Sequence, residues 1–150
     1  MRFVYPFESV REGDSTVVCF PDVPGALTQV DKGENFDEIV KDCLVAALGG
    51  YIARRRAPPR PGAAQSRPTV TLDILTSAKL ALALAMLEAN MSNVALAECL
   101  GVSEKAVRRL LDLDHISRID RVESALAYFG LQPVVSVRPK SFAGKDVAWV

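Results

Sequence analysis

Residues 93–112 read NVALAECLGVSEKAVRRLLD, and this stretch decides the architecture of the C-terminal half. Its apolar positions, from Val94, Leu96 and Ala97 to Val107, Leu110 and Leu111, fit two short helices rather than one, because Gly101 interrupts the pattern and Ser103 has the chemistry of a helix N-cap. Two helices that cross sharply need a small residue at the crossing, a glycine in the turn and aliphatic residues on the inner face of the second helix. Ala97, Gly101, Val107 and Leu110 supply these. Lys105, Ala106, Arg108 and Arg109 then lie toward the N-terminal half and outer face of the second helix, where Lys and Arg reach phosphates or guanine edges. Helical text also covers 76–89 and 118–129, so four or five helices with short polar joints form a small bundle.

This stretch resembles the helix-turn-helix of Xre/Cro-type repressors, over roughly residues 80–131, with RVESALAYFG at 121–130 as the closing helix. The resemblance implies insertion of 103–112 into the major groove and a phosphate contact at Ser92 and Asn93. Ser103, Lys105, Ala106, Arg108 and Arg109 would face DNA. His115, Ser117 and Arg118, in the loop that follows, would touch its backbone. His115 is the chain's one histidine and has no Cys or acidic ligand cluster around it in sequence, so no metal or other cofactor is expected.

Working toward the N-terminus, TVTLDIL at 69–75 alternates and reads as a strand returning to a sheet further upstream. Before it, RRRAPPRPGAAQSRP at 54–68 carries four prolines and five arginines, and is expected to be a linker or exposed loop. Phe36, Ile39, Val40, Cys43, Leu44, Ala47, Leu48, Tyr51 and Ile52 follow one helical face, with Asn35 as N-cap. Gly49-Gly50 inside that helix costs about 1 kcal/mol per glycine in propensity, which close packing there would explain. MRFVYPFESV and STVVCFPD flank a REGD turn and form a hairpin. ALTQVD, after the PDVPG turn, adds a third strand of a meander. Downstream, PVVSVRP at 133–139 reads as a lone strand that would pair with a second copy, and 139–150 as a loosely held tail.

The formal net charge of zero hides an uneven distribution. Residues 1–50 hold nine acids against four Lys or Arg, residues 51–70 hold five Arg and no acid, and residues 71–150 balance nine against nine. An acidic front and a locally basic reading helix need different partners. The apolar run at 80–87, bounded by Lys79 and Glu88, is far short of the roughly 20 residues that span a bilayer, so it is a buried helix and no membrane is expected. With no secretion-type leader, the expected location is cytoplasmic. Cys19, Cys43 and Cys99 are too dispersed for a knuckle or disulfide frame and read as small buried hydrophobes.

FPDVPGALTQ at 20–29, the helix after it and APPRP at 57–61 together resemble the N-terminal domain of HicB-type antitoxins, and with the second module the resemblance covers most of residues 1–138. One departure is Val30, where that family usually has glycine after Thr-Gln. The resemblance implies a partial ribonuclease-H-like fold without catalysis that masks a small RNA-cleaving HicA-type toxin. The bottom-up charge argument agrees in sign, since an RNA-cutting protein is basic around its site. Phe20, Asp22, Pro24 and Asp31 are the candidate toxin-binding residues.

The expected fold class is therefore α+β, a small antiparallel sheet with one helix followed by an all-α helix-turn-helix domain. Domains are expected at 1–74, with 57–68 as the loop, and at 75–138. The expected function is a non-enzymatic antitoxin that also binds double-stranded operator DNA as a homo-oligomer, dimer or tetramer. Asp14, Asp22, Asp31, Asp37 and Asp42 are not placed to converge on paired cations. The alternative is a stand-alone Xre-type repressor with a small-molecule-sensing N-terminal domain, which requires an apolar pocket.

Overall fold

In the computed structural model, which describes residues 1–137 and 139, the chain runs β1 (Val4–Pro6), β2 (Glu8–Glu12), β3 (Ser15–Cys19), β4 (Leu27–Asp31), α1 (Phe36–Ala53), β5 (Thr69–Thr71), α2 (Ile74–Glu88), α3 (Asn93–Leu100), α4 (Glu104–Leu111) and α5 (Ile119–Tyr128). This is an α+β chain, and β2, β3 and β4 form the expected antiparallel meander. Alternation then sorts its residues. Val18 and Val30 point to the core under α1, whereas Val10, Val17, Cys19 and Leu27 stand on the opposite face. Val30, where the resemblance led to glycine, is a buried strand residue.

The first apolar stretch divides at Phe7 into β1 and β2. β5 is shorter than TVTLDIL and pairs antiparallel with β1, with Tyr5 opposite Val70, rather than with the meander. Asp73 ends it by capping α2, its carboxylate accepting from the Thr76 N–H at 2.8 Å, so the helix begins at Ile74 and not at residue 76.

α1 matches its predicted face: Val40, Leu44 and Leu48 are buried, and Asn35 caps its start. The glycine expectation fails. A Cβ on Gly49 would meet nothing within 4 Å, and one on Gly50 would meet the Arg54 side chain, so neither glycine serves close packing. The segment at 57–68 is a strap rather than a free linker. Pro58 is buried, the Tyr5 hydroxyl donates to the Pro59 carbonyl at 2.8 Å, and the Gly62 N–H donates to Asp22 at 2.8 Å. Arg67 donates to the Ala63 and Ala64 carbonyls, which tightens the strap's end.

α2 is apolar nearly all round because it serves two cores. Leu80 and Leu84 join the cluster around Tyr5, Phe20 and Leu44, while Ala78, Leu82 and Met86 join Leu96, Val107, Leu110, Val122 and Leu126. No single helix among the described residues is long and apolar enough to cross a membrane, and α2 and α3 meet at 108°. Residues 133–137 form no strand within this chain, and Val134, Val135 and Val137 are exposed. The tail expected at 139–150 lies outside the described residues apart from Pro139. The cysteine expectation is also corrected: Cys19 and Cys43 are half-buried and Cys99 is exposed.

Candidate functional site

The α3–turn–α4 pair is built by local chemistry. Ser92 accepts from the Ala95 N–H at 3.1 Å and Ser103 from the Ala106 N–H at 3.1 Å, which satisfies one orphan donor at each helix start. Gly101 takes φ 65°, a left-handed conformation that costs a glycine little, and Val102 N–H returns to the Ala97 carbonyl. Ala97, Val107 and Leu110 are buried at the crossing. The outer face of α4 is left to Lys105, Arg108 and Arg109, all exposed, with Ala106 half-buried between them.

These cations are not equivalent. Arg108 is held by Glu104 at 2.7 Å, an i,i+4 pair that raises the guanidinium pKa. Lys105 and Arg109 make no side-chain ion pair among the described residues. Arg118 is engaged by Asp120 at 2.9 Å, and Ser117 donates to the Arg109 carbonyl at 3.1 Å. Half-buried His115 contributes its backbone carbonyl to a different structure, described next. Asn93 turns inward: its Oδ1 is buried without a hydrogen-bond partner, at the wall of a cleft of about 620 Å³. That cleft is framed by Gly49 and Ile52 of α1, Met86 of α2, and Arg108 and Leu111 of α4.

Sequence reasoning missed Lys79. Its side chain is fully buried, and its ammonium donates to the carbonyls of Arg109 (3.0 Å), Asp112 (2.6 Å) and His115. These carbonyls belong to the last turn of α4, its cap and the loop beyond, where helix carbonyls lack intrahelical partners and the dipole is negative. Burial lowers the Lys79 pKa, and the Asp112 charge opposes that shift. The available signal was a lone Lys in the run from Ala78 to Leu87, which is otherwise wholly apolar.

The four candidate residues of the front half fall apart. Phe20 is buried against Phe7, with ring centroids 6.0 Å apart, so its side chain belongs to the core. Asp22 holds the strap through Gly62, and Pro24 lies exposed on the turn, its carbonyl accepting from the Tyr51 hydroxyl at 3.2 Å. Asp31 is exposed on the sheet, where Ser15 donates at 2.6 Å and Gln29 at 2.9 Å; these bonds lower its pKa. Among the described residues, no three His, Cys, Asp or Glu side chains gather as metal ligands do.

No protein-family model matches the chain. Antitoxin HicB 1 of Photorhabdus laumondii is 32% identical over 137 residues, which cover 91% of this chain and 87% of that protein. The chain belongs to the HicB antitoxin family. A second protein of that bacterium, Antitoxin HicB 2, is 34% identical over 87% of this chain and 91% of its own length. Antitoxin HicB of Pseudomonas fluorescens is 33% identical, with 91% and 95% covered. These matches run through both the meander and the helical half, so the HicB relationship belongs to the two-part chain rather than to either module alone.

Proposed function

We propose that this HicB-family protein is an antitoxin that neutralises a small mRNA-cleaving toxin of HicA type and represses its own operon by binding operator DNA. The names of its relatives, over about nine-tenths of the chain, carry the antitoxin reading. The acidic N-terminal module, in this reading a partial ribonuclease-H-like fold, faces the toxin. The charge excess of residues 1–50 supports that assignment, because a protein that cleaves RNA presents cations to phosphates.

In the same reading α3 and α4 are a helix-turn-helix, with α4 in the major groove. Support comes from the left-handed Gly101, the two serine caps and an α4 outer face that carries three exposed cations and no large exposed apolar side chain. One such unit grips little DNA, so the protein acts as a homo-oligomer that reads half-sites about 34 Å apart. The exposed valines at 134, 135 and 137 are available to pair with a second copy. The cleft beside α1 has the apolar lining that a ligand-controlled repressor requires, but the HicB names of the relatives favour the antitoxin reading over it.

A pull-down of the tagged protein from its native host at moderate salt, with mass spectrometry of co-eluting chains, tests the reading. A near-stoichiometric small basic protein encoded beside this gene is expected. Recovery of the protein alone with its DNA would overturn the antitoxin role.

A further inference from the structure

Two acidic surfaces in the front half are open to a partner, and they differ in anatomy. The outer face of α1 presents Asp37, Glu38 and Asp42, with no large exposed apolar residue anywhere on that helix. The outer face of the meander is built in three rows: Glu8–Cys19–Leu27, Val10–Val17–Gln29 and Glu12–Ser15–Asp31. Val10 is 62% exposed and Leu27 65%, and nothing among the described residues covers them, since α1 packs on the other side. Apolar residues therefore run from the Leu27 corner of the first row into the Val10–Val17 pair of the middle row, and the third row carries the carboxylates of Glu12 and Asp31. Binding interfaces combine such an apolar patch, which excludes water, with polar residues at its border.

The rim selects the occupant. Asp31 is kept ionised by Ser15 and Gln29, and Glu12 lies in the same row, next to Asp14 of the hairpin turn. Arg67 approaches Glu8 at 3.4 Å and partly offsets it, so the negative potential is concentrated at the Glu12–Asp31 end. A second copy of this chain would bring like charges against one another, which disfavours pairing of two such faces. A basic protein surface with an apolar patch beside its cations is complementary in both respects.

Resting on the antitoxin reading above, we infer that the toxin docks on the outer face of the β2–β3–β4 sheet, with Val10 and Leu27 as its apolar anchors and Glu12 and Asp31 as its charged rim. The face of α1 and the PDVPG turn then lie outside the contact.

The test uses the full-length protein and the small basic protein recovered with it, with affinity measured by calorimetry. Val10→Lys and Leu27→Lys are each expected to weaken binding about thirtyfold or more, because a charge in place of a buried apolar anchor has effects of that order. Glu12→Lys/Asp31→Lys is expected to weaken it and to flatten its salt dependence. Asp37→Lys/Asp42→Lys on α1 is expected to leave it within about threefold. Unchanged thermal melting and operator binding of the sheet variants establish that they fold. Toxin binding that survives the sheet variants but falls with the α1 pair would overturn this site and leave the antitoxin reading standing. Recovery of no basic partner by the wild-type protein would overturn both.

Discussion

The ammonium of Lys79, on α2, lies 2.6 Å from the backbone carbonyl of Asp112, the residue that closes α4. Together with the carbonyls of Arg109 and His115, this contact ties the end of α4 and its following loop to the helix shared by both cores. A buried cation is costly unless its water is replaced, and three carbonyls at a helix C-terminus replace it. The direction of α4, and with it the outward aim of Lys105 and Arg109, thus depends on a side chain that faces no ligand.

Replacing that cation with an apolar residue of similar length should show the dependence. Lys79→Met removes a charged donor from three carbonyls, of which that of Arg109 keeps Ser117 and that of Asp112 keeps the His115 N–H, and is expected to destabilise the protein by about 2–4 kcal/mol. A drop of about 10 °C in melting temperature would accompany it. A melt within about 2 °C of wild type would show that the carbonyls find other partners.

Tyr5 gives a prediction with a sign in pH. Burial, with the nearby Asp22 charge, pushes its pKa up from 10.0 to about 12. The folded value is the raised one, so the contribution to stability is complete below pH 10 and is lost as pH rises toward 12. The loss amounts to about 3 kcal/mol for the full window. Tyr5→Phe is expected to start less stable at neutral pH, since the Pro59 carbonyl loses its donor, and to show a flatter decline over that window. Denaturant melts at a series of alkaline pH values check it; parallel declines in the two proteins would remove Tyr5 as the cause.

Asp22 offers a separation of structure from binding. Its carboxylate accepts from Gly62 N–H, and a Cβ on Gly62 would come within 3.3 Å of both carboxylate oxygens. Asp22→Ala is expected to loosen the strap, at a cost of about 1–2 kcal/mol, and to speed proteolysis within residues 60–67. Toxin affinity should change little. A loss of affinity without faster cleavage would instead place Asp22 in the interface.

What could be read in the sequence and what could not divide by range. The bounds of α3 and α4, the Ser92 and Ser103 caps and the Gly101 turn were legible because each arises from residues a few positions apart. The face of α1 was legible for the same reason, its period being long and regular. The partner of β5 was not, since nothing in TVT distinguishes pairing with β1 from pairing with the meander. Nor was the strap: a contact from Asp22 to Gly62 leaves no periodic trace, and Pro and Arg content alone reads as solvent. Phe20 was singled out by its place in a motif, but strand alternation from Val18 puts it in the core.

Gly49 tests the helix itself. It sits inside α1 with no neighbour for a Cβ and without a positive φ, so Gly49→Ala is expected to gain about 1 kcal/mol from helix propensity. A melting temperature raised by about 2–4 °C would confirm it. A lowered one would mean that the cleft it borders closes in solution.

The three cations of α4 should separate on DNA from the upstream region of this gene. Arg108 is neutralised by Glu104 at 2.7 Å and borders the cleft toward α1, whereas Lys105 and Arg109 are exposed without such a pair. Breaking the Glu104 pair costs little stability, because both partners are at least one-third exposed. Lys105→Ala and Arg109→Ala are therefore expected to weaken operator binding more than Arg108→Ala. Each should reduce the salt slope by about 0.9 if the lost contact is to a phosphate. A loss confined to particular operator bases, with the slope unchanged, would assign that side chain to base reading instead. If Arg108→Ala were the most damaging of the three, Glu104 would have to release it on binding, and Glu104→Gln would then tighten the complex.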